Sequence, residues 1–289
     1  MINKVSIIIP CTRSADHISE ALESVSLSSD YIGEIICVLS NITEIGLNKV
    51  KTAISNSNLS HITIIIEDIS TVSNGSTARN LGIEKASFKY IAFLDDDDEW
   101  VNGKLYKYNN YINKNNNEEY VLYSPVVVKN RGESLANITK LNDDSNIIDF
   151  IFRDGGVVQT SSWLMPKSVA EKVMFNPNLI RHQDYDFLLR ANEIGIKFIQ
   201  YPEPLSYWYL NKEISYVEKG ATFDFCKKWI LENKKRMSQD SITGYIKKDL
   251  FYIGIKNHRY LDLLIFMIRQ VGVFKTCKII MSYITENKG

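Results

Sequence analysis

Tyr90-Ile91-Ala92-Phe93-Leu94-Asp95-Asp96-Asp97-Asp98-Glu99-Trp100 passes without a break from an apolar run into four aspartates and a glutamate. The run from Tyr90 to Leu94 does not alternate polar with apolar residues, which is the pattern of a strand buried on both faces of a parallel sheet. Three earlier runs share this character: Val5 to Ile9, Glu34 to Leu39 and Ile62 to Ile66. The four starts fall 28 or 29 residues apart. Between them the spacing is helical. Ala15, Ile18, Ala21, Leu22 and Val25 form one apolar stripe, Ile45, Val50, Ala53 and Ile54 a second, and Ala78, Leu81 and Gly82 mark a third. Strand and helix repeated at this interval read as right-handed βαβ units, hence an open, Rossmann-like α/β sheet.

After Asp95 the regular alternation ends. Tyr120 to Lys129, Ser161 to Met165, Ile196 to Tyr201 and Leu205 to Leu210 read as further strands of mixed direction, while the polar tracts Asn113 to Asn117 and Arg131 to Asp144 read as surface loops. Beyond Leu210 only helical patterns remain, in Phe223 to Arg236, Ile242 to Ile255 and Tyr260 to Tyr283. The expected division is an α/β domain over 1–215 and a helical region over 216–289.

Composition is that of a globular chain, with 45% hydrophobic and 24% charged residues in 289. Lys plus Arg equals Asp plus Glu at 34 each, so no global field attracts polyanions and nucleic acid is not an expected partner. Cys11, Cys37, Cys226 and Cys277 lie too far apart for a zinc site or a disulfide scaffold, which suits a reducing cytoplasm. No secretory signal is expected, because the N-terminus enters a strand-like segment directly. The most apolar late stretch, Leu261 to Ile268, contains Asp262 and falls short of the roughly 20 residues a spanning helix needs.

Ligands of open α/β sheets bind beyond the carboxyl ends of the strands, which is where Asp95 to Asp98 fall. Neighbouring carboxylates about 4 Å apart repel by roughly 1 kcal/mol in water and more near a protein surface, so four in a row call for a cation. Hard oxygen ligands suit magnesium or manganese, which keep open positions for phosphate oxygens. The plainer account is a solvated acidic turn before a helix beginning near Gly103. Upstream, Asn74-Gly75-Ser76-Thr77-Ala78-Arg79 enters the third helix, leaving backbone N–H groups and the Arg79 fork available to an anion. An ordinary capped helix whose Gly82 packs closely on the sheet explains the same residues. In Arg181-His182-Gln183-Asp184-Tyr185-Asp186 the two aspartates are two apart and point in different directions on a helix, so at most one serves a site, or Asp184 is an N-cap and Arg190 pairs with Asp186 or Glu193.

Together these segments resemble the inverting glycosyltransferases of family 2, which have the GT-A fold: a Rossmann-like, mixed, mostly parallel sheet flanked by helices, here with a C-terminal helical appendage. The likeness runs from Val5 to Leu210. It is carried by Ala78-Arg79-Asn80-Leu81-Gly82 followed by Asp95-Asp96-Asp97-Asp98, similar to the family's ARNxG segment and DxD motif, by Val5-Ser6-Ile7-Ile8-Ile9-Pro10 as first strand, and by Gln183-Asp184 with Arg190 as the ED-type motif. By position, the resemblance implies Asp97 as the main metal ligand and Asp184 as catalytic base. Pro10, Thr12, Ser40, Arg79, Asp95, Asp96 and Asp98 would then surround the donor. The family usually carries acidic residues after the second strand, one of them reading the nucleobase; here Leu39, Ser40 and Asn41 stand there, leaving Ser40 or Asn41 to bond a uracil edge. The first loop, Cys11-Thr12-Arg13, is one residue shorter than usual.

The resemblance implies transfer of a sugar from a nucleotide diphosphate donor, a UDP-hexose, to a hydroxyl of a glycan or lipid-linked glycan, with Mn2+ or Mg2+ on the donor pyrophosphate. Bacterial polysaccharide or lipid-linked oligosaccharide assembly is the implied setting. Trp100, Trp163 and Tyr185 are candidate sugar-facing aromatics, though each also suits a core or rim. Lys227, Lys228, Lys234, Lys235, Arg236, Lys247 and Lys248 make the tail basic and amphipathic, as expected of a cap, a homodimer surface or a peripheral contact at the inner face of the cell membrane. Two other readings compete. A sugar-1-phosphate nucleotidyltransferase needs a glycine-rich loop after the first strand, where Pro10-Cys11-Thr12-Arg13-Ser14-Ala15-Asp16 has no glycine. A non-catalytic glycan- or nucleotide-binding module would explain the missing acidic residues after the second strand.

Overall fold

The computed structural model describes residues 4–13, 15–26, 28–59, 63–68, 74–112, 119–130, 133–142, 145–210 and 222–286. The chain forms two compact units, one of residues 1–140 with 157–211 and the other of residues 141–156 with 212–289.

In the first unit, β1 (Val5–Arg13), α1 (Ile18–Ser26), β2 (Ile32–Ile42), α2 (Glu44–Asn56), β3 (Thr63–Asp68), α3 (Gly75–Lys85) and β4 (Tyr90–Phe93) alternate as the periodicity predicts. Ile7, Ile8 and Ile9 of β1 and Ile35, Ile36 and Cys37 of β2 are completely buried, so residues on both faces of each strand lie inside. Each such aliphatic side chain contributes about 1.5–3 kcal/mol relative to exposure, which is why these runs lack polar alternation. Asn74 caps α3 by accepting from the Ser76 and Thr77 amides, and the Thr77 hydroxyl accepts from the Asn74 amide in return. A Cβ at Gly82 would stand 2.3 Å from Ile8 Cγ2, so glycine lets α3 lie directly on β1.

The remaining elements of this unit are β5 (Glu99–Trp100), α4 (Lys104–Ile112), β6 (Tyr120–Tyr123), β7 (Val126–Asn130) and β8 (Glu133–Asn137). After α5 (Ile147–Phe152) of the second unit come β9 (Leu164–Pro166), α6 (Lys167–Val173), α7 (Gln183–Glu193), β10 (Lys197–Gln200) and β11 (Ser206–Tyr209). The main sheet has the order β10-β6-β9-β4-β1-β2-β3. Its pairs are parallel except those made by β9, which runs against both β4 and β6. A smaller sheet has the order β5-β11-β7-β8. From β1 the chain passes to β2 and β3 on one side and then to β4 on the other. The order reverses at β1/β4, the place where open α/β sheets hold ligands.

Several expectations needed correction. Tyr120 to Lys129 is not one strand: Ser124 and Pro125 separate β6 from β7, which belong to different sheets. The polar tract expected as a loop over Arg131 to Asp144 contains β8, whose backbone pairs antiparallel with β7 over Glu133 to Asn137 although its side chains are mixed in character. Asn113 to Asn117 lies outside the described residues, as do Arg131, Gly132, Asp143 and Asp144. Trp100 and Trp163 are core residues; Trp163 stacks on Phe175 at 6.1 Å, and Trp100 Nε1 donates to the Ser161 carbonyl at 2.8 Å.

The second unit brings α5 together with α8 (Phe223–Asn233), α9 (Gln239–Tyr245), α10 (Phe251–Lys256) and α11 (Tyr260–Glu286). A π-helical turn, Ile246–Leu250, joins α9 to α10, and Gly272, at φ 82°, breaks α11. Phe152 packs its ring against Tyr245 and Trp229, while Asp149 accepts from the hydroxyls of Ser238 and Ser241. Sequence alone gave no reason to assign Leu141 to Gly156 to the helical unit, because six helical residues are too few to show their partner.

Candidate active site

The acidic run follows β4 directly, at the β1/β4 reversal of strand order. The last backbone bond to β1 is the Leu94 amide donating to the Ile8 carbonyl at 3.1 Å, after which the chain turns, with the Asp98 amide donating to the Asp95 carbonyl at 3.1 Å. The turn is tied back to β1 by Thr12, whose amide donates to Asp96 Oδ2 at 2.9 Å. Burial pushes the Asp96 carboxyl up to about 7, helped by the Asp97 and Asp95 charges and opposed by the Thr12 amide.

Arg79 reaches the same turn from α3. Its Nη2 donates to Asp95 Oδ1 at 2.5 Å, and its Nη1 lies 3.3 Å from Gln183 Oε1 on α7. Gln183 is anchored in turn by donating to the Leu179 carbonyl at 2.8 Å. One guanidinium therefore links the strand tip carrying Asp95 to the helix start carrying Asp184. Asp184 is half-buried in the first turn of α7. It is not the N-cap: His182 holds that position with φ 60°, buried, and makes no side-chain cap bond. Asp186 pairs with Arg190 at 2.7 Å, and Arg190 donates onward to the Val173 and Met174 carbonyls, so this pair fixes α7 against the end of α6.

Asp98 is turned inward and only 2% exposed. Its Oδ2 accepts from Gln159 Nε2 and Ser161 Oγ, both at 2.6 Å, and its Oδ1 from the Tyr209 amide at 3.1 Å. Burial pushes this carboxyl well up, and the Asp95 and Asp97 charges add to the shift. Lys104 is fully buried nearby, donating to the Ser161 carbonyl at 2.6 Å and to Ser206 Oγ at 3.1 Å; burial drives its amine well down, against the pull of Asp98. Ser161 is the hub that sequence reading missed. Its hydroxyl also accepts from the Asp95 amide at 2.9 Å, so it holds the first residue of the acidic turn in place. Gln159-Thr160-Ser161-Ser162 is polar yet almost entirely buried. That density of small hydroxyls just before a strand was the available signal.

Pro10 is buried in β1, and Ser40 is fully buried opposite Thr12 in the β1–β2 register. Tyr185 is half-buried, with its ring 5.0 Å from that of His182. Asp97 is half-buried in the turn. Among the described residues, no three His, Cys, Asp or Glu side chains converge as a protein-only cage. Magnesium-type ions, however, commonly take one or two carboxylates plus substrate phosphates, and the oxygen donors of Asp97 and Asp95 fit that demand.

The model described as Glycosyl transferase family 2 matches residues 6–173. The chain belongs to this family. Its fold is GT-A, as the sheet order and solved relatives of the same architecture agree. This family 2 chain is 26% identical over 245 residues to the amylovoran biosynthesis glycosyltransferase AmsB of Erwinia amylovora, covering 83% of this chain and 81% of that one. It is 28% identical over 218 residues to a poly(ribitol-phosphate) beta-glucosyltransferase of Bacillus spizizenii, covering 72% of this chain but only 32% of that longer protein. Among solved structures it resembles S. aureus TarS 1–349 in complex with UDP, with TM-score 0.64, 14% identity and coverage of 93% and 81%. The same protein in complex with UDP-GlcNAc superposes with TM-score 0.62, 15% identity and coverage of 98% and 92%.

Proposed function

We propose that this family 2 glycosyltransferase moves a sugar from a UDP-sugar onto a hydroxyl of a glycan or lipid-linked glycan during surface-polysaccharide assembly. The carrying observation is the Arg79 bridge, which joins the acidic turn at the β1/β4 switch point to the start of α7. Thr12, Arg79 and Asp95 frame the donor end of the crevice, and Asp96 and Asp98 shape the turn behind them. Of the two candidates for the uracil edge, Ser40 is fully enclosed, and Asn41, exposed immediately after it, is the one open to a nucleobase. Asp184 takes the proton of the acceptor hydroxyl as its oxygen attacks the anomeric carbon opposite the leaving nucleotide, which inverts configuration. Alignment of both substrates in one crevice supplies much of the acceleration. A Mn2+ or Mg2+ ion held by Asp97, with Asp95, would supply charge neutralisation at the departing pyrophosphate.

The names of AmsB and the poly(ribitol-phosphate) glucosyltransferase, and the UDP and UDP-GlcNAc complexes of TarS, support the donor and the setting. The four cysteines are all free thiols, which fits work in a reducing cytoplasm on acceptors at the membrane's inner face.

A thermal-shift screen of sugar nucleotides with and without Mn2+, followed by transfer assays with the hits, tests this reading. Stabilisation by UDP-sugars that requires the ion supports it. No stabilisation by any sugar nucleotide in either condition would refute it.

A further inference from the structure

The first half of α11 exposes Leu261, Leu264, Ile265 and Ile268. Their i, i+3, i+4, i+7 spacing puts them on one helical face. Leu263, Phe266 and Met267 are buried on the opposite side, so this stretch has two opposed apolar faces with Asp262 and Arg269 exposed between them. Past the break at Gly272 the arrangement repeats, with Val273, Phe274, Met281 and Ile284 exposed and Thr276 and Ile279 buried. Contiguous exposed apolar surface of this kind marks an interaction site. The occupant is not a bilayer interior, because no helix among the described residues is long and apolar enough to cross a membrane. Tyr260 to Val271 rises about 18 Å, against a hydrocarbon core of about 30 Å.

Charge decides between the remaining occupants. Thr222 to Glu286 contains twelve Lys or Arg against six Asp or Glu, in a chain whose totals balance at 34 each. Arg269 follows Ile268 at the border of the apolar face, and the Lys278 amine lies 4.6 Å over the exposed Phe274 ring. Asp262, the acidic residue on that border, pairs at 2.8 Å with Arg259, whose guanidinium also holds Asp224 at 3.1 Å. A second copy docked face to face would oppose one basic border with another. An anionic lipid surface accepts both features, taking the aliphatic side chains at the acyl boundary while amines and guanidinium reach the headgroup phosphates.

We infer that α11 lies in the surface plane of an anionic bilayer and docks the helical unit there. This holds independently of sugar transfer, since a catalytically dead chain would still bind.

Density-gradient flotation of the full chain tests it, using vesicles of phosphatidylcholine alone or with phosphatidylglycerol added. The anionic vesicles should carry about tenfold more protein to the top, and added salt should reduce that gain. The combined variant Leu261→Ser, Ile265→Ser, Phe274→Ser alters exposed positions, and circular dichroism should confirm its fold. It should float about tenfold less. No flotation with anionic vesicles, or flotation that survives the triple substitution, overturns the inference. A dimer in light scattering that the same substitutions dissociate also overturns it, because a second copy then covers the face.

Discussion

Gln183 Oε1 accepts from Arg79 Nη1 at 3.3 Å, joining residues 104 positions apart. The same guanidinium holds Asp95, and the two charged side chains are only 12% and 22% exposed, so solvent does little to replace either partner. The residue before the proposed base is thereby tied to the residue that opens the acidic turn.

Arg79→Lys should lower kcat/KM by about a hundredfold, because a single ammonium cannot fork between Asp95 and Gln183 and the two ends lose their alignment. Gln183→Leu removes only the longer bond and should cost less. Steady-state kinetics on folded protein decide the matter; wild-type efficiency in Arg79→Lys would remove the bridge from the account.

Asp184→Asn should cut kcat by about 10²–10⁴ while donor affinity stays intact, as expected for loss of a general base. Asp97→Ala should instead weaken UDP binding only when Mn2+ or Mg2+ is present. Calorimetric titrations of both variants with and without the ion separate the roles, and equal loss of donor affinity in the two would count against the assignment.

Ser161→Ala deletes the acceptor for the Asp95 amide and a donor to buried Asp98. The cost should be about 2–3 kcal/mol, since one of the lost bonds serves a carboxylate. Urea unfolding followed by tryptophan fluorescence reads it, because Trp100 and Trp163 are both buried in the same unit. A change well under 1 kcal/mol would mean that other groups hold the turn.

Gly82→Val should destabilise the α/β unit by about 1–3 kcal/mol, because the added atoms press on Ile8. Gly244→Ala should be worse for its size. Its Cβ would stand 1.7 Å from the Phe152 carbonyl oxygen, and backbone cannot swing aside as a side chain can. Thermal melts of the two variants should show this order, and a harmless Gly244→Ala would contradict the close packing of α9 on α5.

Much of the fold was legible because a strand buried on both faces must be apolar throughout, so β1, β2 and β4 announced themselves within single short windows. Asp95 to Asp98 were legible for a related reason, since they sit at the chain reversal that follows β4, while Arg79, inside α3, was legible through the Ala78-Arg79-Asn80-Leu81-Gly82 segment. Gln159, Ser161 and Lys104 were not, since hydroxyl, amide and amine groups in a sequence look solvated until the packing that encloses them is known. Asp98 and Asp96 are indistinguishable in the chain, yet one turns inward to three donors and the other meets Thr12.

The order of residues by itself determined the βαβ framework and the place of its acidic tip, because helix and strand periods are local properties of the chain. Only the tertiary structure decided that Arg79 spans Asp95 and Gln183, that Asp98 lies inside, and that Leu141 to Gly156 belongs with the helices. Each of these depends on contacts between distant segments, which exist only once burial has brought those segments together.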